Sequence, residues 1–512
     1  MQLDPQNHDR LIINLAKHLR KQSGQSAQIY RTHISSVIAC GQYAYKCKRP
    51  IKLPFADFST LELRQHDCLR ELSINRRTAP DIYLDVIPIS GSVSKPRLEG
   101  SGATLDWAVK MRRFKQSALL SHLITRDKIT RPMACALGQH LARFGSALPR
   151  LRPEVTAKHR PVIDWLLESL SEISSIFPEE DHTAQKIASW AKRRARQQLG
   201  LIEQRRQEGK FRDCHGDLHL GNLVKQGATI VAFDALEFNY ALSQIDILND
   251  IAFAFMDLLA HDRADLAWAM MNQWCEQTAD YDGLPLLRYY TLYRAVVRAK
   301  VQALTQRQAN HETFKRYWFL AKRLISPSNP PRLILVAGLS GSGKSTVATD
   351  LVNSLSGIQI RADVIRKQLF ADRLHDPAKL YARQVSRKVY ARLAQIANQL
   401  LTEKMTVIVD ATFLAQADID RFNRLATKHN THLHLLWCEA PIAVLERRIQ
   451  RRAKQGLDPS DATVDVLHKQ IARLNAHPIE WPTRPHRIDT HGTLKSVTAK
   501  IERLASKLLR CR

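Results

Sequence analysis

Gly338-Leu-Ser340-Gly341-Ser342-Gly343-Lys344-Ser345-Thr346 lies between an apolar run, LILVAG (333–338), and a run with helical periodicity, VATDLVNSL (347–355). The spacing is G-x-x-x-x-G-K-[ST] after a strand and before a helix, the context that gives this short pattern its meaning. Glycines let the loop curl until backbone N–H groups of Ser340, Gly341, Ser342 and Gly343 converge on one centre. A phosphate chain placed there also meets the positive end of the following helix. Lys344 supplies a point charge for β- and γ-phosphates, Ser345 a hydroxyl for Mg²⁺, and Thr346 continues the same turn. The stretch therefore predicts an α/β domain with a parallel sheet, built to hold ATP and Mg²⁺.

Downstream, strand and helix patterns alternate to the end of the chain, as in a sheet with helices on both faces. Ile358-Gln-Ile360 places Asp363 just past the second strand, and Thr406-Val-Ile-Val409 places Asp410 at the end of the third. Ligands of open α/β sheets gather at the carboxyl ends of strands. Asp363 is thus read as a base for an acceptor hydroxyl and Asp410 as the residue holding Mg²⁺ or its water. Either also fits a capping or turn carboxylate. Arg448 and Arg452, in Glu446-Arg-Arg-Ile-Gln-Arg-Arg452, share one helix face. They suit a lid that clamps the transferring phosphate, or a solvated basic face.

Residues 332–512 resemble the P-loop small-molecule and polynucleotide kinase-like family, kin to gluconate, shikimate and zeta-toxin-type kinases. The resemblance is carried by GLSGSGKST, RADVIRKQLF, VIVDATF and RRIQRRAKQGLDPSDA. It implies that Asp363 lies near the acceptor hydroxyl and that Arg448 or Arg452 belongs to the lid. It names no acceptor.

Upstream, Ser326-Pro-Ser-Asn-Pro-Pro-Arg332 ends a long helical pattern, because paired prolines and turn residues cannot continue it. The expected organisation is a domain over 1–325, a linker over 326–331 and a second domain over 332–512. Within the first, residues 27–55 read as strands turning near Thr32–Ser36 and Gly41-Gln42. A helix is expected from the capping box Ser59-x-x-Glu62 through Leu72. Residues 80–115 read as mixed strands. Most of 130–325 is helical, broken by short strands near 222–224 and 229–233. A small β-rich lobe followed by a large helical lobe is the predicted α+β architecture.

Cys214-His215-Gly-Asp217-Leu-His219-Leu-Gly-Asn222 contains H-x-D and, after four residues, Asn. One loop then offers a base, Asp217, and a metal ligand, Asn222. Ile230-Val-Ala-Phe233-Asp234 brings a second metal ligand, Asp234, to a strand end. Lys46 lies on a predicted strand and Glu71 on the helix after it, the lysine–glutamate pair that positions α- and β-phosphates. Lys48 shares the strand face of Lys46 by its period of two. No glycine-rich loop precedes them, and the hydroxyls and amides of Thr32–Ser36 stand in its place. Residues 25–325 resemble the aminoglycoside phosphotransferase and choline kinase-like family through HGDLHLGN, FDALEF and YRAVVRAKV. The whole chain resembles bacterial fusions of such a domain with a P-loop ATP-binding domain. Phe233-Asp234-Ala235 departs from D-F-G, and His219 reads either as a phosphate contact or as a loop partner.

Bulk composition narrows the classes. The chain has 512 residues, too many for one core. No apolar run reaches membrane-spanning length; the best, Ile247 to Ala260, is interrupted by Asp250 and Asp257. Eight scattered cysteines without a C-x-x-C pair fit neither a zinc site nor a disulfide framework, and point to a reducing cytoplasm. The excess of 77 Lys and Arg over 49 Asp and Glu leaves a net charge of +28. Such a field suits nucleotide clefts and also attracts nucleic acid. Three functions stay open: a phosphotransferase with two ATP/Mg²⁺ sites acting on hydroxyl acceptors, a nucleic-acid 5′-hydroxyl kinase, and a nucleotide-gated interaction protein.

Overall fold

Tyr43–Lys48 shows how local pattern builds the first lobe, because alternate residues of a strand face opposite ways. Tyr45 and Cys47 join an apolar cluster with Leu11, Ile12 and Leu15 of the helix Pro5–Ser23. Lys46 and Lys48 point the other way, toward Glu71 on the helix Leu61–Asn75. Burying a leucine or isoleucine of that cluster contributes about 1.5–3 kcal/mol. The strand belongs to a six-stranded antiparallel sheet in the order Ala27–Arg31, Ser35–Cys40, Tyr43–Lys48, Thr104–Arg112, Tyr83–Gly91, Pro96–Leu98.

The computed structural model describes residues 3–53, 56–227, 229–306, 311–326, 330–371, 380, 382–455 and 460–510. Residues 327–329 of the expected linker and 456–459 of the basic motif lie outside the described residues. The helix after the third strand is capped by Thr60, whose Oγ1 accepts from Leu63 N at 3.3 Å, and not by Ser59. The Ser59 hydroxyl is drawn instead to Asp57 Oδ1, at 2.6 Å.

Two compact units partition the chain. The first comprises Met1–Met133, Arg143–Asp257 and Tyr293–Lys315. It has the protein-kinase-like plan of a sheet lobe followed by helices. Two short antiparallel pairs frame its loop: Leu223–Gln226 with Thr229–Ala232, and Phe211–Asp213 with Gln244–Asp246.

The second unit comprises Ala134–Ala142, Leu258–Leu292 and Arg316–Arg512. Its five-stranded sheet is wholly parallel, in the order Ile358–Arg361, Val407–Asp410, Leu333–Gly338, Leu433–Glu439, His486–Asp489. Leu333–Gly338 is buried along its whole length, as a central strand covered on both faces should be. The helix Ala264–Thr278 packs along this sheet, with Trp268 against its apolar core. Asn272 donates from Nδ2 to Gly357 O at 2.9 Å and accepts at Oδ1 from Gln359 N at 2.6 Å. A side-chain amide thus pairs with the edge strand's backbone, which protects the edge from pairing with another chain.

Candidate active sites

In the first unit the strand lysines and helix glutamate form one buried network. Lys46 Nζ lies 2.8 Å from Glu71 Oε1 and 2.5 Å from Asp234 Oδ1. Lys48 Nζ lies 2.6 Å from Glu71 Oε2 and also meets Glu237. Burial opposes the charge on Lys46, but Asp234, Glu71 and Glu237 outweigh it and hold its pKa well above the ordinary lysine value. Burial pushes the Glu237 carboxyl up, with Lys48 opposing. The two lysines of one strand face therefore share Glu71, and Lys46 alone reaches Asp234. Lys48 and Glu237 were not singled out as site residues; their signal was the spacing of Lys48 from Lys46 and of Glu237 from Asp234.

The loop carrying Asp217 is held from several sides. Asn222 Nδ2 donates to Asp217 O and to Asp217 Oδ2, each at 2.9 Å, which leaves the Asn222 amide oxygen as an acceptor for a cation. His215 accepts at Nδ1 from Asp217 N and donates from Nε2 to Phe233 O at 2.9 Å. Burial lowers the His215 pKa, which favours the neutral ring that this pattern of one acceptor and one donor requires. Asp250 accepts from His215 N at 3.0 Å and Gly216 N at 2.9 Å, and Asp257 accepts from Leu220 N at 2.9 Å. Arg294 donates to Gly216 O at 3.0 Å. Gly216 has φ of +81°, and a Cβ there would lie 2.9 Å from Leu242 O. Only glycine fits that turn without strain.

The two carboxylates remain partly open, with side-chain exposures of 32% for Asp217 and 43% for Asp234. Burial raises the Asp217 pKa, but His219, 3.4 Å away, and Arg298 more than reverse this and hold the carboxyl well below the usual range. Asp234 is likewise lowered: burial opposes its charge and Lys46 outweighs it. Asp234 has φ of +62°, and its N–H donates to Tyr83 Oη at 3.0 Å. Aspartate tolerates this left-handed backbone better than most residues.

In the second unit the loop from Gly338 curls as expected. A Cβ on Gly338 would lie 2.4 Å from Cys438 O, and one on Gly341 would lie 2.7 Å from Leu445 O. Lys344 Nζ donates to Leu339 O at 2.8 Å, folding the lysine over its own loop, and burial lowers its pKa. Ser342 Oγ is buried beside Gly338 with no hydrogen-bond partner among the described residues. Ser340 N donates to Gln470 Oε1 at 2.9 Å. The backbone amides of Gly341 and Gly343 and the first turn of the helix Lys344–Leu355 have no intrahelical carbonyl to meet. These donors fit a phosphate chain, and Ser345 with Asp410 fits a hard cation that takes its other oxygens from phosphate and water.

The expected acids stand at the rim of a cavity of about 1560 Å³ lined by Lys344, Ser345, Asp363 and Asp410. Asp363 sits in the first turn of the helix Ala362–Leu369 and pairs with Arg366. Burial raises its pKa, but Arg366 and a hydrogen bond from Ser460 outweigh this and lower it. Asp410 Oδ2 accepts from Gln359 Nε2 at 3.1 Å and lies 3.7 Å from Arg361 Nε. Arg361 also approaches Ser345 Oγ at 3.4 Å, and Glu276 of the helix Ala264–Thr278 holds its Nη1 at 2.5 Å. Sequence reading missed Arg361 and Glu276, since nothing local links a helix of residues 264–278 to a strand of 358–361. Arg448 donates to Gly341 O at 3.2 Å, Thr490 Oγ1 at 3.1 Å and Thr490 O at 2.7 Å. Arg452 donates to Ala462 O at 3.1 Å. Arg448 thus ties the phosphate loop to the segment after the last strand, and both arginines line the cavity.

Residues 333–477 match the AAA domain family. Among solved structures, a choline/ethanolamine kinase family protein from Mesorhizobium loti aligns with 62% of this chain and 95% of its own, at 12% identity and a TM-score of 0.36. A gluconokinase from Sinorhizobium meliloti aligns with 36% of this chain and 96% of its own, at 18% identity and a TM-score of 0.28. The uncharacterized protein Rv2004c of Mycobacterium tuberculosis is 30% identical over 492 residues, covering 91% of this chain and 92% of that one. An alignment of that extent takes in both units, and the chain belongs to the same family as Rv2004c.

Proposed function

We propose that the chain is an ATP-dependent phosphotransferase with two ATP/Mg²⁺ sites, each passing the γ-phosphoryl group to a hydroxyl acceptor. The observation that carries the reading is the convergence of Lys344, Ser345, Asp363 and Asp410 on one cavity at the carboxyl ends of a parallel sheet. In the second unit, Lys344 and the amides from Gly338 to Thr346 would hold the phosphates, and Ser345 with Asp410 the Mg²⁺. Asp363 would take the acceptor proton as the acceptor oxygen attacks the γ-phosphorus and the bond to the β-phosphate oxygen breaks, releasing ADP. Arg448 and Arg452 would form the base of the lid. In the first unit, Lys46 and Glu71 would set the phosphates, Asn222 and Asp234 the Mg²⁺, and Asp217 would receive the proton. We place the domains at 1–325 and 332–512, joined by 326–331.

The test is γ-labelled ATP incubated with the full chain and a metabolite and RNA extract, followed by identification of the labelled product. Transfer lost in Asp217→Asn or Asp363→Asn supports the reading. ATP binding without transfer or hydrolysis in the parent would leave a nucleotide-gated binding protein instead.

A further inference from the structure

The cavity of the second unit carries far more positive charge than a nucleotide needs. At the loop end, the cations are already engaged: Lys344 with Leu339 O, Arg448 with Gly341 O, Arg452 with Ala462 O, and Arg361 with Glu276. Further guanidinium groups line the same cavity, and three of them come from three different helices. They are Arg387 on Arg383–Thr402, Arg421 on Gln416–Lys428 and Arg473 on Val464–Ala476. Among the described residues none of the three has a carboxylate within ion-pair distance.

Their position follows from the packing. Tyr390, one turn after Arg387, places its Oη 2.8 Å from Phe413 N and 3.2 Å from Thr412 Oγ1. The helix bearing Arg387 is therefore fixed on the segment that follows Asp410. All three act on the carboxylate of Asp418, which lines the same cavity. Burial pushes its pKa up to about 6, although Arg421, Arg473 and Arg387 each pull it down. Three guanidinium groups that outnumber the carboxylate beside them repel one another and favour an external anion. A carboxylate-bearing sugar acid would neutralise one of three charges, whereas a phosphate group offers bidentate geometry and up to two charges.

We propose that the acceptor of this site is a phosphate ester, presenting its hydroxyl to Asp363 while Arg387, Arg421 and Arg473 bind a phosphate it already carries. The proposal rests on the phosphotransferase reading of the same cavity. The new phosphoryl group is added to the acceptor oxygen, the acceptor proton goes to Asp363, and the resident phosphate takes no part in bond making.

The test is calorimetric titration of the full chain saturated with Mg²⁺ and a non-hydrolysable ATP analogue. The probes are adenosine 3′-phosphate, a 5′-hydroxyl oligonucleotide and a hexose phosphate, with adenosine and the free hexose as neutral counterparts. At least one phosphate-bearing probe should bind about 10- to 100-fold more tightly than its counterpart, the span set by a charge-assisted hydrogen bond. Which probe binds separates a mononucleotide, a polynucleotide end and a sugar phosphate as sources. Arg387→Gln and Arg473→Gln together should remove that preference, and Asp418→Asn should strengthen it. The proposal is overturned if neutral and phosphorylated probes bind alike, if none binds, or if the arginine variants keep the preference. Failure of the analogue itself to bind would instead overturn the phosphotransferase reading, and phosphate binding would then be scored without it.

Discussion

Asp250 is the residue on which the first site should depend most heavily without touching substrate. Its carboxylate accepts from His215 N at 3.0 Å and Gly216 N at 2.9 Å, inside a buried helix. Asp250→Ala leaves both amides buried without an acceptor, a cost of about 1–3 kcal/mol each. Burial also raises the Asp250 pKa, against His215 and Arg294, so removing the charge returns part of its desolvation energy. The net expectation is a loss of about 3 kcal/mol for Asp250→Ala and about 2 kcal/mol for Asp250→Asn, which keeps one acceptor oxygen. Chemical denaturation of the full chain should show this in the transition of the first unit, leaving that of the second in place. Turnover at the first site should fall by about 10²-fold, because a loop displaced by about 1 Å misaligns Asp217. Asp250→Asn with parental turnover and stability within about 0.5 kcal/mol of the parent would refute the reasoning.

The remaining expectations concern charge at the two sites. Lys344→Ala should weaken nucleotide binding at one of the two sites by about 10- to 100-fold, read as one lost or weakened step in an ATP titration of the full chain. Asp217→Asn should slow transfer at the first site by about 10²- to 10⁴-fold while ATP still binds. Because Asp217 is held well below the usual carboxylate range, it stays ionised near neutral pH. An acidic limb near about pH 6 that disappears in Asp217→Asn would contradict that assignment. Asp217→Asn and Asp363→Asn should each silence one activity and spare the other; a single mutation that silences both would mean the halves compose one site. Asp418, pushed up to about 6 in the folded chain against about 3.9 unfolded, keeps a proton on folding that the unfolded chain has lost. Its ionisation therefore costs stability as pH rises between those values, and Asp418→Asn should gain melting temperature on the parent from about pH 4.5 to about pH 7.

What could be read from the sequence was whatever local spacing determines. The loop from Gly338 to Thr346 needs only its own glycines, a strand before and a helix after, and all three are adjacent in the chain. The Asp217–Asn222 contact needs only the curl of one loop. Lys46 and Lys48 were placed on one face by the strand's period, but which carboxylate each meets depends on a helix and a strand end far along the chain. Thr60 takes the cap because Asp57 captures the Ser59 hydroxyl, a competition that residue types alone do not rank.

Asp250 and Asp257 show a signal that was present and put to a lesser use. Their interruption of an apolar run argued only against a membrane span, yet two carboxylates in an otherwise apolar helix must find donors if that helix is buried. Those donors are the amides of His215, Gly216 and Leu220, so the cost of burying the charges is offset by fixing the loop that carries Asp217. Arg448 marks the opposite limit. Helical spacing puts it on a face with Arg452 and suggests a clamp on phosphate, but only the fold brings Gly341 O and Thr490 within its reach. A guanidinium that already spans the loop's carbonyl and the next segment holds the cradle in shape before any nucleotide arrives. Its loss should therefore weaken the cradle itself as well as any hold on the transferring group.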